Sequence, residues 1–178
     1  MQLLRARDRT PRPWKNGGGI TYEIAVVPRE SDFSNFLWRL SIAEVTEAGP
    51  FSNFEDIDRV FAVLSGSIAL TFANQTIEVG AKSDPIVFAG EASCFATPMK
   101  GAVTDLNLML RRDKVRGQMR RMSGRMMTPS ATTIVVAPEA QSLRIDGKAV
   151  ALQRHDAIRL DGPCDVDLDG DALVITIA

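Results

Sequence analysis

Apolar and polar residues alternate with a period of two through most of this sequence, and no long stretch carries the period of an amphipathic helix. The segments FLWRLSIAEV (36–45), RVFAVLSGSIALTF (59–72), QTIEV (75–79), PIVF (85–88) and AVTDLNLML (102–110) read as strands separated by Gly, Pro, Asn or Asp. A second series follows a basic, Met-containing connection, RRDKVRGQMRRMSGRMM. It runs TTIVVAP, LRI, KAVAL, DAIRL and CDVDLDGDALVITIA, with Asp146-Gly147 and Asp169-Gly170 as hairpin signals. The pattern predicts an all-β chain of two unequal β units, small barrels or sandwiches closed or stacked to limit exposed edges. The first unit is expected over 1–113 and the second over 114–178, with the join between Asp113 and Pro129.

The 178 residues, 45% hydrophobic with a formal net charge of −1, suffice for a real core in one domain or two small subdomains. The N-terminal MQLLRARDRTPRPW has no apolar signal region, and no later run approaches the roughly 18 apolar residues of a membrane helix. A cytoplasmic protein without a membrane partner is expected. Cys94 and Cys164 have no CxxC spacing and read as buried thiols rather than a disulfide or zinc framework. The single histidine, His155, in LQRHDAIRL, reads as a solvated side chain approaching a strand. Arg111, Arg112, Lys114, Arg116, Arg120, Arg121 and Arg125 crowd the connection, but no aromatic residue lies between them for bases to stack on. A solvated linker or an oligomer contact fits that segment better than nucleic-acid binding. Met119, Met122 and Met126, at helical spacing, could equally pack against a sheet.

Near the N-terminus, PWKNGGG (13–19) precedes ITYEIAVV, in which Ile20, Tyr22, Ile24 and Val26 share one face and Thr21 and Glu23 the other. A strand after the glycines, and a lysine before them, do not match a phosphate loop, which requires Gly-Lys-Ser/Thr leading into a helix. An irregular loop feeding a strand remains, its glycines allowing positive φ or close approach.

In FLWRLSIAEV, Phe36, Trp38, Leu40 and Ile42 share a face, leaving Arg39 and Ser41 opposite. In AVTDLNLML, Leu106, Leu108 and Leu110 leave Asp105 and Asn107 opposite. Three strands thus each offer an apolar face and a face of charged and hydrogen-bonding groups. Either these polar faces look at water, or they line one interior, where the charges need one another or a ligand. Arg39 with Asp105 or Glu23 supplies opposite signs.

PWKNGGGITYEIAVVP, FLWRLSIAEV, GPFSNFEDIDRVFAVLSG, VFAGE and DLNLMLRR, in order from Pro13 to Arg112, resemble the signature of the HutD/Ves family of the cupin superfamily. The resemblance implies a cupin-like double-stranded β-helix or jelly-roll, with two β units in one chain, a bicupin. Gly49 and Gly66 match the glycines of the first cupin motif. The places of the two histidines and the glutamate of metal-binding cupins fall on Glu55, Ile57 and Arg59. A metal site is therefore not expected, and neither is a cofactor; Arg59 instead offers a planar, two-pronged donor for a carboxylate.

By the same resemblance, the N-terminal loop can lie across the barrel's edge or mouth, with Trp14 anchoring it and Lys15 and Asn16 supplying polar contacts, or can serve chain geometry alone. The family implies a regulator of histidine utilisation binding a small carboxylate, with urocanate or formylglutamate as candidates. Lys15, Asn16, Glu23, Arg39, Ser41, Arg59, Asp105 and Asn107 are the candidate ligand-binding residues. A non-enzymatic binding protein is the expectation; a metal-free enzyme using Glu23 or Asp105 as base, and an interaction module without a ligand, are the alternatives. A homo-oligomer is left open.

Overall fold

The computed structural model describes residues 1–14 and 17–178, and divides into two compact units, Thr10–Val115 and Met1–Arg9 with Arg116–Ala178. In chain order the first ten strands are β1 (Gln2–Leu4), β2 (Pro11–Pro13), β3 (Gly19–Val27), β4 (Trp38–Val45), β5 (Gly49–Pro50), β6 (Ile57–Ser65), β7 (Ser67–Phe72), β8 (Gln75–Gly80), β9 (Ile86–Ala89) and β10 (Phe95–Pro98). The remaining strands are β11 (Val103–Arg111), β12 (Gly117–Met127), β13 (Thr132–Val136), β14 (Gln141–Ile145), β15 (Lys148–Leu152), β16 (Ala157–Asp161) and β17 (Asp165–Ile177). Among the described residues the only helical element is a 3-10 turn at Ala6–Asp8, and no helix is long and apolar enough to cross a membrane.

The Thr10–Val115 unit is built from a six-stranded sheet ordered β2-β3-β4-β11-β6-β9 and a four-stranded sheet ordered β5-β10-β7-β8, antiparallel throughout. The segment 59–72, expected as one strand, is broken at Gly66, where φ of +83° lets the chain leave β6 in one sheet and enter β7 in the other. Val45, Phe61, Val63 and Val103 from the six-stranded sheet pack there against Ile68, Leu70, Val79 and Ala96 from the four-stranded one, with Cys94 between them. The opposite face of the larger sheet, carrying Trp38, Leu40, Ile42, Leu106, Leu108 and Leu110, is buried too. Trp38 and Arg39 are neighbours on β4, point to opposite faces and are both buried, as period two requires.

The register of this sheet shifts twice, between Thr104 and Asp105 against β6 and in β3. A bulge between Glu23 and Ala25 shifts the register, so that Val26 opposes Arg39 and packs with Ile57, Met109 and Phe36 instead of sharing the face of Ile20 and Tyr22. The glycine-rich approach to β3 has a steric role. A Cβ at Gly19 would lie 2.6 Å from the Glu44 carbonyl oxygen and 3.0 Å from the Trp14 ring. Trp14 packs on the apolar core and donates through Nε1 to Thr21 Oγ1 at 2.8 Å. Lys15 and Asn16 lie outside the described residues.

Gly90, in the VFAGE segment, positions the start of β6. Its N–H donates to the Ile57 carbonyl at 2.6 Å, and its carbonyl accepts from Phe54 N–H at 3.0 Å. A Cβ there would meet the Phe54 and Ile57 carbonyl oxygens at 2.5 and 2.9 Å, both of them backbone atoms that cannot rotate away. Gly90→Ala is expected to destabilise the chain by about 1 to 2 kcal/mol. A urea midpoint lowered at unchanged m-value checks this, and an unchanged midpoint would refute it.

The second unit is a seven-stranded sheet in which β17 has three partners, β12 along one edge and β13 and β14 along the other. Several features here differ from the sequence expectation. Met1–Arg9, expected in the first unit, belongs to this one: β1 pairs with β16, and buried Asp156 accepts from Arg5 Nη1 at 2.6 Å and Ala6 N–H at 2.7 Å. The basic connection is no linker, since Gly117–Met127 forms β12, paired along its length with β17. Period two puts buried Met119 on one face of β12 and Met122 on the other; Met122 and Met126, on either side of a register shift between Met122 and Gly124, pack on the core of this unit, while Met127 is exposed.

Asp146-Gly147 does turn β14 into β15, both residues having positive φ. Asp169-Gly170 makes no hairpin; it lies inside β17 where that strand changes partner from β14 to β13. There Gln141 replaces ladder bonds, accepting from Gly170 N–H at 3.1 Å and donating to the Asp171 carbonyl at 2.7 Å. His155 is half-buried rather than solvated, with φ of +64° and its pKa lowered by burial and by the neighbouring Arg154 and Arg9. Both cysteines are free, Cys94 buried and Cys164 only partly so.

Candidate functional site

The register of the six-stranded sheet arranges its core-facing side chains in rows. Thr21, Ala43, Asp105 and Val63 form one row, and Glu23, Ser41, Asn107 and Phe61 form the next. Val26, Arg39, Met109, Arg59 and Phe88 form the third. Six expected site residues thus come onto one face, the face that looks towards the four-stranded sheet. Arg39, Ser41, Arg59 and Asp105 are each no more than 6% exposed, while Glu23 and Asn107 are half-buried. The first four do not look at water, and Glu23 and Asn107 do so only in part. The other two candidates, Lys15 and Asn16, fall outside the described residues.

Within the cluster the charges are paired off. Arg39 Nη2 bonds Glu23 Oε2 at 3.0 Å, while Arg59 donates through Nε to Asn107 Oδ1 at 3.3 Å and interacts electrostatically with Asp105. Both guanidinium groups lie against aromatic rings, Arg39 at 4.3 Å from the Phe33 centroid and Arg59 at 4.9 and 5.0 Å from Phe51 and Phe88. Phe33 in turn packs on Phe54 at 5.3 Å. The phenylalanines come from loops and an edge strand, where no alternation marks a face, so strand reading missed them. The PFSNF segment just ahead of β6 was the available signal.

Burial governs the titration here. It pushes the Asp105 carboxyl up to about 7, with Arg59 pulling the other way, and it brings Arg59 down to about 10, opposed by Asp105 and Cys94. At neutral pH Arg59 keeps its charge while Asp105 is partly protonated. Burial also lowers Arg39, offset by Glu23 and reinforced by Arg12. Inside the cluster two cations, Arg39 and Arg59, stand against two carboxylates, Glu23 and the only partly ionised Asp105, with exposed Arg12 adding positive charge from β2. Such a site suits an anion.

The HutD family model matches residues 6–176. The chain belongs to the HutD family. Among relatives, it is 33% identical over 167 residues to an uncharacterized 21.2 kDa protein in the hutC 3′ region of Pseudomonas putida, covering 91% of this chain and 87% of that one. It is 37% identical over 122 residues to protein Ves of Cronobacter sakazakii, covering 67% of this chain and 66% of that one. The structure of HutD from Pseudomonas fluorescens SBW25, in a formate condition, superposes with a TM-score of 0.87 at 28% identity, covering 99% and 97% of the two chains. A cupin 2 conserved barrel domain protein from Leptotrichia buccalis, 10% identical with a TM-score of 0.61 over 99% and 95%, shares the fold. This is a HutD-like, all-β protein of cupin type, from a family met in a histidine-utilisation context.

Many cupins carry a metal, but this HutD chain has the wrong donors for one. At the corresponding positions Glu55 is exposed, Ile57 is buried and apolar, and Arg59 is a buried cation. Among the described residues no group of three His, Cys, Asp or Glu side chains converges. An alkyl chain and a guanidinium cannot ligate a cation.

Proposed function

We propose that this protein binds a small organic carboxylate and acts as a regulator of histidine utilisation, with urocanate or formylglutamate as the ligand. The observation that carries this reading is Arg59, buried and charged on the core-facing side of the sheet, with its Nε held by Asn107 and its opposing carboxylate partly protonated through burial. Its remaining donors match a carboxylate, and Asp105, Asn107 or Glu23 can meet an imidazole or amide N–H. Relatives in a hut region support the pathway. Calorimetric titration with urocanate and with formylglutamate should give binding heat for at least one of them and no product on prolonged incubation.

One observation favours a second reading. A carboxyl raised to about 7 is what a general base requires, and Asp105 meets that requirement beside a cation able to stabilise developing negative charge. Product formation in the same incubation, lost in Asp105→Asn, would replace the binding role with metal-free catalysis.

A further inference from the structure

Arg39, Arg59 and Asp105 are enclosed, none of them more than 6% exposed. A solute coming from bulk water reaches them only if some covering group moves. Four phenylalanines among the described residues lie against arginines, and Phe33 alone of these is exposed, at 52%. Its ring rests over the buried Arg39 guanidinium at 4.3 Å and meets the Phe54 ring at 5.3 Å.

Phe33 stands on the loop of residues 28–37 that joins β3 to β4. Leu37 N–H closes the base of this loop on the Val27 carbonyl at 2.6 Å, and Arg111 of β11 holds its descending side, donating to the Ser34 and Phe36 carbonyls at 3.0 and 3.4 Å. The bonds of the tip are internal. Ser31 Oγ donates to the Pro28 carbonyl, Ser34 N–H and Oγ donate to Asp32 Oδ1, and Asp32 N–H donates to Asn35 Oδ1. Phe54 comes from the loop ahead of β6, packed on Val26, Phe36, Ile57 and Met109, and its N–H is held by the Gly90 carbonyl. A loosely tethered tip and a firmly seated ring therefore meet above a buried cation.

From this arrangement we infer that Phe33 is a gate, closed when its ring rests on Arg39 and Phe54 and open when its loop tip swings away to admit or release the ligand. The inference rests on the small-carboxylate reading for what passes the gate. Ring-on-guanidinium and ring-on-ring contacts are individually weak, strong enough to favour the closed position and weak enough to break often. Phe33 is half in solvent already, so opening exposes little further apolar surface of its own. The same two contacts close over the empty and the filled site. Phe33 thus governs how fast a ligand enters and leaves, and not how tightly it is held.

Phe33→Ala should raise the association and dissociation rates of urocanate and formylglutamate together, by about tenfold, with Kd changed by less than about twofold, as read from ligand-proton NMR line shapes. Phe33→Trp keeps a ring over Arg39 and should stay near the parental rates. A second arm measures access without any ligand. Modification of Arg39 by 2,3-butanedione, followed by peptide mass spectrometry, should be faster in Phe33→Ala by a similar factor. Exposed Arg7 serves there as the rate reference, and half-buried Arg9, in the other unit, reports whether the variant is folded. Faster dissociation at an unchanged association rate would make Phe33 a ligand contact and overturn the gate, as would equal butanedione rates at Arg39 in the two proteins. If neither ligand binds the unaltered chain, the carboxylate reading falls and the butanedione rates alone decide the gate.

Discussion

Replacing Arg59 by lysine should weaken binding of a small carboxylate by roughly ten- to a hundredfold, with the chain still folded. The loss corresponds to about 1.5 to 3 kcal/mol, the usual worth of hydrogen bonds to a charged group. Lysine keeps a cation but gives up the planar fork, the Nε bond to Asn107 and the guanidinium packing against Phe51 and Phe88. Burial compounds the effect. It already lowers Arg59 to about 10, and an ammonium in the same place starts from a lower ordinary value, so part of its charge is lost as well. Titration of both proteins with formylglutamate and urocanate, with thermal melts as a folding control, measures this. Equal affinities in folded samples would take Arg59 out of the site.

The polar face of β4 and β11 was legible from alternation alone, whereas Arg59, on a strand buried on both faces, was placed there by the family resemblance. Period two places Arg39 and Ser41 opposite Trp38 and Leu40, and Asp105 and Asn107 opposite the leucines of β11, whatever the strand order. Which arginine meets which acid was not legible. That depends on β11 lying between β4 and β6, which brings Arg59 within electrostatic reach of Asp105 and leaves Arg39 to Glu23. The bulge at Ile24 was hidden too, because a single extra residue leaves the composition unchanged while exchanging the faces beyond it. In the second unit, β12 escaped because its arginines and methionines have no strong β propensity; pairing with β17 decides its state. Asp169-Gly170 misled for a related reason: an Asp-Gly pair marks irregular backbone, and a strand changing partners needs that as much as a hairpin does.

Asp105 is where stability and binding should respond to pH together. Its folded-state carboxyl is raised to about 7, against about 3.9 in an unfolded chain. Between those values the folded chain holds a proton that the unfolded chain has released. Stability associated with this group is therefore fully present below about pH 4, is lost as pH rises towards about 7, and is flat beyond. The accumulated loss is about 4 kcal/mol at most, three units at about 1.4 kcal/mol each. Asp105→Asn keeps the shape without the ionisation. It should melt close to the parent at pH 4.5 and several degrees higher at pH 8, where the parent carries a buried anion only partly compensated by Arg59. Binding follows the same group. A carboxylate arriving at Arg59 meets a neutral Asp105 below about pH 7 and a competing anion above it. Affinity in the parent should thus fall as pH rises from 6 to 8 and stay nearly level in Asp105→Asn. Parallel pH profiles of melting temperature and of affinity for the two proteins would mean that Asp105 is already ionised at pH 6, and that Arg59, not burial, controls it.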